Sequence, residues 1–299
     1  TVGGGFPGQG DALEQLSLMA FIAAISNSAR LVTSVMILPH RNPLVTAKMP
    51  ATIDVLSKGR VTVGVGVGWM REEFEALGAP DFDKRGASSN EYLEIFKKCW
   101  TQDPVSHEGE FYSFKELRCA PHPVQKPHPP IWIGANADPA IRRAAKVGDC
   151  WYVNPHNRIG TILKQTEIYK RALDEYDRPF PEEFPIRREV FVAKTREEAL
   201  RLCAPYLATK YKVYHQWGQD KVMPEGDNDL SLEFDDLAHD RFLIGSPDEV
   251  ADECIRLHRE TGVNHIIASM QWPGMDYRIT MDAMQLLSEE VFPKVNQAV

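Results

Sequence analysis

The sequence predicts an α/β protein built on a parallel sheet. Three observations carry this. Helix and strand patterns alternate along nearly the whole 299-residue chain. Nearly every strand pattern is followed by a helical one, and parallel strands need such crossovers. The stretch from Arg60 to Phe74 is a period-2 strand that runs directly into a polar helix. Doubly wound sheets and (β/α)8 barrels both fit this alternation.

The elements follow in order. A helix is expected over about 12–26 and a strand over 31–38. Asn42-Pro43 then opens a helix, with Asn as N-cap and Pro at the first helical position, and Gly59 stops it. In the next strand Val61, Val63, Val65 and Val67 alternate with Thr62, Gly64, Gly66 and Gly68. Period-2 valines mark a buried face. Glycines on the other face remove every Cβ there, as when a ligand or another backbone must come close. Helical stretches follow at 71–77 and 88–100, and residues 101–130 are proline-rich and expected to be irregular.

The alternation resumes with a strand at 131–133. Asp138-Pro139 starts a helix by the same N-cap logic, and Gly148 ends it. A strand at 150–153, a helix at 159–176 and a strand at 186–193 come next. Thr195 and Glu198 have capping-box spacing for a helix to about residue 207. Residues 210–242 are polar, aromatic and expected to be irregular. Ser246 and Glu249 form a second capping box, for a helix that stops near Gly262. A strand at 265–270 and a helix at 280–291 complete the chain. That makes six strands in one domain over 1–299. A barrel closes with eight, and the chain opens in a glycine-rich loop, so the expectation is a barrel without its first two strands. Such a piece is expected to bind its ligand poorly and to aggregate through open edges.

Composition narrows the function. No apolar run approaches the ~20 residues of a membrane span, and a net charge of −8 argues against nucleic acid. The cysteines, Cys99, Cys119, Cys150, Cys203 and Cys254, are scattered. They read as reduced thiols of a cytoplasmic protein rather than as a disulfide framework or a zinc site. No metal-ligand spacing, phosphate loop or nucleophile signature is present, so the chemistry is expected to belong to a cofactor.

Five places are candidates. The glycine face of residues 64–68 would admit something flat. His40, Arg41 and Asn42 end a strand, where barrel sites are built; a capped, solvated turn is the alternative. Gly134, Ala135 and Asn136 precede a helix start, whose N–H groups favour an anion, although Asp138 would compete as N-cap. Asn154, His156 and Asn157 follow the next strand and would add donors to that anion. Gln271 and Trp272 close the last strand, either walling a pocket or packing on the last helix.

Six segments together resemble the bacterial-luciferase-like group of flavin- or deazaflavin-dependent oxidoreductases. They are Leu38-Pro-His-Arg-Asn-Pro43, Thr52-Ile-Asp-Val-Leu-Ser-Lys-Gly-Arg60, Gly64-Val-Gly-Val-Gly-Trp69, Glu73-Phe-Glu-Ala-Leu-Gly78, Pro129-Pro-Ile-Trp-Ile-Gly134 and Arg142-Arg-Ala-Ala-Lys-Val-Gly-Asp149. The resemblance implies a TIM (β/α)8 barrel with the flavin ring at the C-terminal ends of the strands. It implies a bulge with a non-prolyl cis peptide behind the ring, at the position of Ser34-Val35. It places the flavin phosphate near Gly134–Asn136 and Asn154. Two departures stand out. Luciferase has a phosphate-binding arginine where this chain has Val67, and deazaflavin sugar dehydrogenases have a catalytic glutamate where it has Trp69.

The expected cofactor residues are therefore Ser34, Val35, Gly64, Gly66, Gly68, Gly134, Ala135, Asn136 and Asn154. The expected substrate pocket includes His40, Trp69, Gln271 and Trp272. The activity implied is monooxygenation of a small organic substrate by reduced FMN and oxygen, with a separate flavin reductase and a homodimeric state. Hydride transfer by the deazaflavin coenzyme F-420 is the alternative cofactor chemistry. A non-catalytic flavin-binding or partner subunit is the alternative of another class. It is distinguished by whether reduced flavin is consumed in oxygen.

Overall fold

The computed structural model describes residues 13–299. These divide into two compact units. Residues 13–134 and 143–151 form the first, and residues 135–142 and 152–299 form the second.

The first unit opens with helix α1 (Gln15–Ile25), capped by the Glu14 carboxylate, which accepts from the N–H groups of Leu16 and Ser17. The expected strand over 31–38 is two short strands, β1 (Leu31–Val32) and β2 (Met36–Ile37), separated by a bulge. Helix α2 (Pro43–Ser57) follows. Its cap is Asn42, whose Oδ1 accepts from Leu44 and Val45 N–H at 3.0 and 3.2 Å. It ends where Lys58 and Gly59 turn left-handed, at φ 60° and 84°. Strand β3 (Val61–Gly66) is buried along its whole length and pairs parallel with both β1 and β2.

Helices α3 (Arg71–Leu77) and α4 (Arg85–Thr101) come next. The stretch 101–130 was expected to be irregular, yet it carries an antiparallel hairpin, β4 (Val105–Glu108) and β5 (Ser113–Leu117). Both strands are short and β5 is mostly exposed, so no hydrophobic alternation marks it. Glu91 of α4 fixes the hairpin turn by accepting from the N–H groups of Phe111 and Tyr112. Strand β6 (Ile131–Ala135) then pairs parallel with β3, Val63 opposite Ile131. Asp54, wholly buried on α2, accepts from the N–H groups of Val124 and Gln125 at 2.8 and 3.1 Å. It thereby anchors the segment that leads into β6.

The second unit contains the start of helix α5 (Asp138–Val147) and the end of strand β7 (Cys150–Val153). Helix α6 (Ile159–Glu175) leads to strand β8 (Pro185–Val192), paired parallel with β7 at Val153 and Ile186. Helix α7 (Arg196–Gln216) starts at Thr195, whose Oγ1 accepts from Glu198 N–H. It continues through Pro205 well past residue 207. Much of 210–242 is therefore ordered, and helix α8 (Phe234–Ala238) lies in it too.

Strand β9 (Phe242–Gly245) adds one to the expected six. Its four residues follow a charged pair, Asp240-Arg241, in a stretch dominated by polar residues. Helix α9 (Pro247–Thr261) has the full capping box of Ser246 and Glu249. Strand β10 (His265–Ser269) pairs parallel with the first half of β8, and β9 with its second half. Helices α10 (Tyr277–Leu286) and α11 (Phe292–Ala298) end the chain. The core of this unit is apolar, with Phe191, Leu207, Leu243 and Trp272 among its members. Among the described residues, no helix is long and apolar enough to cross a membrane.

Candidate functional site

In the first unit the Ser34–Val35 peptide is cis, as the resemblance implies. The bulge that contains it covers the glycine face. A Cβ on Gly64 would lie 1.9 Å from the Thr33 carbonyl oxygen, and one on Gly66 would lie 2.9 Å from Val35 Cγ2. A Cβ on Gly134 would lie 3.3 Å from Val35 Cγ1. Gly64, Gly66 and Gly134 thus make room for the neighbouring bulge, the backbone approach that the glycine face was read to allow. Val35 itself stays half-buried, backed by Gly66 and Gly134.

Beyond β3 the chain turns at Gly68, whose φ of 81° suits glycine. A Cβ there would also press on the Phe74 ring at 2.8 Å. Phe74 meets the His40 ring edge-on at 4.7 Å. His40 Nε2 is buried with no hydrogen-bond partner. Burial, then the charge of Arg41, hold the His40 pKa below its ordinary value, so the ring is neutral at pH 7. Trp69, next to Gly68, is half-buried.

In the second unit the residues around Asn136 form an amide cluster. Asn157 Nδ2 donates to Asn136 Oδ1 and to Gln165 Oε1, both at 2.7 Å. Gln165 Nε2 donates to the Asn136 carbonyl at 2.7 Å. Asn157 is wholly buried, yet its Oδ1 has no donor. Buried acceptors are rarely left so. Helix α5 starts beside this cluster. Ile141 N–H bonds to the Ala137 carbonyl, so Ala137 occupies the N-cap place and Asp138 is an exposed residue of the first turn. Asp138 is therefore not the cap, although its carboxylate stays in the first turn of the helix.

Other candidates serve their own loops. The Asn154 side chain accepts from His156 N–H at 3.1 Å, an Asx turn. The side chain of Gln271, an exposed residue, bonds to Thr280 and to the Met275 carbonyl. Trp272 is buried, with its Nε1 donating to Glu189 Oε2 at 2.7 Å. It belongs to the core. His156 was expected near an anion. Instead it is buried, with Nδ1 3.1 Å from the Tyr211 hydroxyl and Nε2 2.9 Å from Gln219.

Glu189, Lys210 and Tyr211 were not anticipated. Glu189 in β8 is wholly buried and ion-paired with Lys210 of α7. Burial alone would raise its pKa, but Lys210, then Arg187 and Trp272, hold it below the usual carboxylate range. Burial, then Glu189, push the Tyr211 phenol well up. The one signal in the sequence was the charged run Arg187-Arg188-Glu189 inside an apolar strand. Gln165, in the middle of α6, had none.

His156 makes stability depend on pH. Burial, then Lys210, push its pKa from 6.5 down to about 3. Between those values the unfolded chain binds a proton that the native protein does not. The contribution is therefore complete above pH 6.5. It falls on acidification by up to about 1.4 kcal/mol per pH unit. Urea denaturation across this range should show a steeper acid loss for the wild type than for His156→Gln. Equal slopes would contradict the assignment.

A family model described as luciferase-like monooxygenase matches residues 3–265. The FMNH2-dependent dimethylsulfone monooxygenase of Pseudomonas putida is 28% identical over 269 residues, covering 85% of this chain and 73% of the relative. The oxygenase component of the flavin-dependent trigonelline monooxygenase of Acinetobacter baylyi is 24% identical, covering 94% of this chain and 80% of the relative. Among solved structures, a monooxygenase of Streptomyces bottropensis superposes with a TM-score of 0.82 at 23% identity, covering 94% of this chain and 82% of that one. The oxygenating constituent of 3,6-diketocamphane monooxygenase of Pseudomonas putida, in complex with FMN, gives a TM-score of 0.71 at 22% identity, covering 94% and 84%. These likenesses extend over nearly the whole chain and establish a common fold.

Proposed function

Because the chain belongs to the luciferase-like monooxygenase family, whose fold is a (β/α)8 barrel, we propose that it is a flavin-dependent oxygenase using reduced FMN and oxygen on a small organic substrate. The relatives named for FMNH2 and flavin support this cofactor, and a separate reductase would supply it reduced.

The observation that carries the reading is Val35. It is a β-branched side chain with few rotamers, packed from behind against Gly66 and Gly134 and still partly exposed. That is a firm apolar platform for a planar ring. Ser34 and Gly134 flank it. Ala135, Asn136 and the start of α5, where the helix dipole favours an anion, are the proposed phosphate and ribityl residues. The orphaned Asn157 Oδ1 fits a ligand that carries hydroxyl donors. Bound reduced FMN would supply the electrons for activating oxygen. His40, neutral and with a free Nε2, is the proposed proton-handling residue near the substrate, with Trp69 beside it. The loop of Gln271 is the proposed contact in the second unit.

We further propose that the protein works as a cytoplasmic homodimer. The outward Phe21 and Ile25 of α1 and Leu56 of α2 support a partner there. The reading is tested by asking whether the protein with reduced FMN puts oxygen into a small substrate. Hydride transfer from the deazaflavin coenzyme F-420 without oxygen would replace it.

A further inference from the structure

We propose that Cys99 and Cys119 form a site of reversible oxidation, a dithiol that hydrogen peroxide converts to a disulfide. Their sulfurs are 3.2 Å apart, with the Cys119 thiol donating to Cys99 Sγ. A bridge needs a bond of about 2.0 Å, so the two sulfurs have about an ångström to travel. Cys99 is buried near the end of α4, while Cys119 follows β5 and is partly exposed. A metal does not account for the pairing. Among the described residues, no group of three His, Cys, Asp or Glu side chains could hold an ion.

The two thiols have different roles. Burial, then the contact with Cys119, push the Cys99 thiol up to about 12, so it stays protonated at neutral pH. Cys119, the more exposed sulfur, meets the oxidant. Its thiol gives up a proton, the sulfur attacks one peroxide oxygen, the O–O bond breaks, and the departing oxygen takes up that proton, so a sulfenic acid and water result. The Cys99 sulfur then attacks the Cys119 sulfur and gives up its proton as the S–O bond breaks, releasing a second water. Two thiols lose two electrons and two protons, and the peroxide becomes two waters. Cys203 and Cys254 are unsuited to meeting the oxidant as Cys119 does. Both are buried, and burial pushes each thiol up to about 12.

The bond would fasten a particular stretch of chain. Between the two cysteines lies the β4–β5 hairpin, held at its turn by Glu91. Beyond Cys119, Asp54 holds Val124 and Gln125. The disulfide would add a covalent tie between these anchors, on the segment leading into β6. Closing such a loop restricts the unfolded chain and should stabilise the oxidised protein.

The test treats the reduced full-length protein with equimolar hydrogen peroxide, alkylates it after unfolding and maps the peptides by mass. The expected wild-type product has lost two hydrogens, links the Cys99 and Cys119 peptides, and reverts with dithiothreitol. Cys119→Ser should form no link. Cys99→Ser, or Cys99→Ala should the serine variant fold poorly, should instead gain oxygen on Cys119. The proposal is overturned if wild-type Cys119 collects oxygen atoms while Cys99 remains alkylatable. It is equally overturned if neither cysteine reacts.

Discussion

Lys210→Met should destabilise the protein by about 3–5 kcal/mol, the scale for removing one partner of a buried pair. Lys210 and Glu189 are both buried, and Glu189 also accepts from Trp272 at 2.7 Å. Without Lys210 the carboxylate would be stranded beside Trp272 and Phe191 in the core. Its pKa would rise and it would take up a proton. The double variant, Lys210→Met with Glu189→Gln, removes both charges and should recover part of the loss. Urea unfolding of the wild type, the single variants and the double variant measures the coupling. A single-variant loss under about 1 kcal/mol, the value of an exposed pair, would show that the two charges are solvated.

Gly66→Leu should weaken reduced-FMN binding at least about tenfold, or about 1.4 kcal/mol, and lower stability by about 1–3 kcal/mol through overpacking. Even the first added atom would be 2.9 Å from Val35 Cγ2 and 3.5 Å from Ile37 Cδ1. Val35 has to move, and with it the surface proposed to carry the ring. Combining Gly66→Ala with Val35→Ala separates the two effects. That variant has no clash and should fold, yet should still bind reduced FMN weakly, because the platform is gone. Unchanged affinity in it would mean that Val35 does not touch the flavin.

The elements legible in the sequence were those with local signatures. Asn42-Pro43, Gly59, the Ser246/Glu249 box and the buried valines 61, 63 and 65 each act through neighbours in the chain and appear as read, while Val67 lies just past the strand, which ends at Gly66. The missed elements lack such signatures. Strands β4 and β9 have four residues each and sit in stretches dominated by polar residues. The glycine strand was read correctly as a place of close approach, but what approaches is the 33–35 bulge, some thirty residues earlier in sequence. Helix α5 shows the limit of cap reading, since Asp138-Pro139 looks like cap and first residue while Ala137 provides the capping carbonyl. The candidate site suffered more than the fold. Asn136 was identified, but its partner Gln165 sits on a helix with nothing to mark it. Glu189 and Lys210 meet across β8 and α7, and their pairing depends on tertiary packing.

The central claim, oxygenation by reduced FMN, is tested most directly by following the oxygen atoms. The full-length protein would be supplied with FMN, a flavin reductase and labelled dioxygen. It would be screened first against dimethylsulfone and trigonelline, the compounds for which two of its relatives are named. Product mass spectrometry should find one labelled atom in an organic product that forms only when the protein, reduced FMN and dioxygen are all present. A product formed without dioxygen, with reduced deazaflavin F-420 as the sole electron donor, would contradict the account.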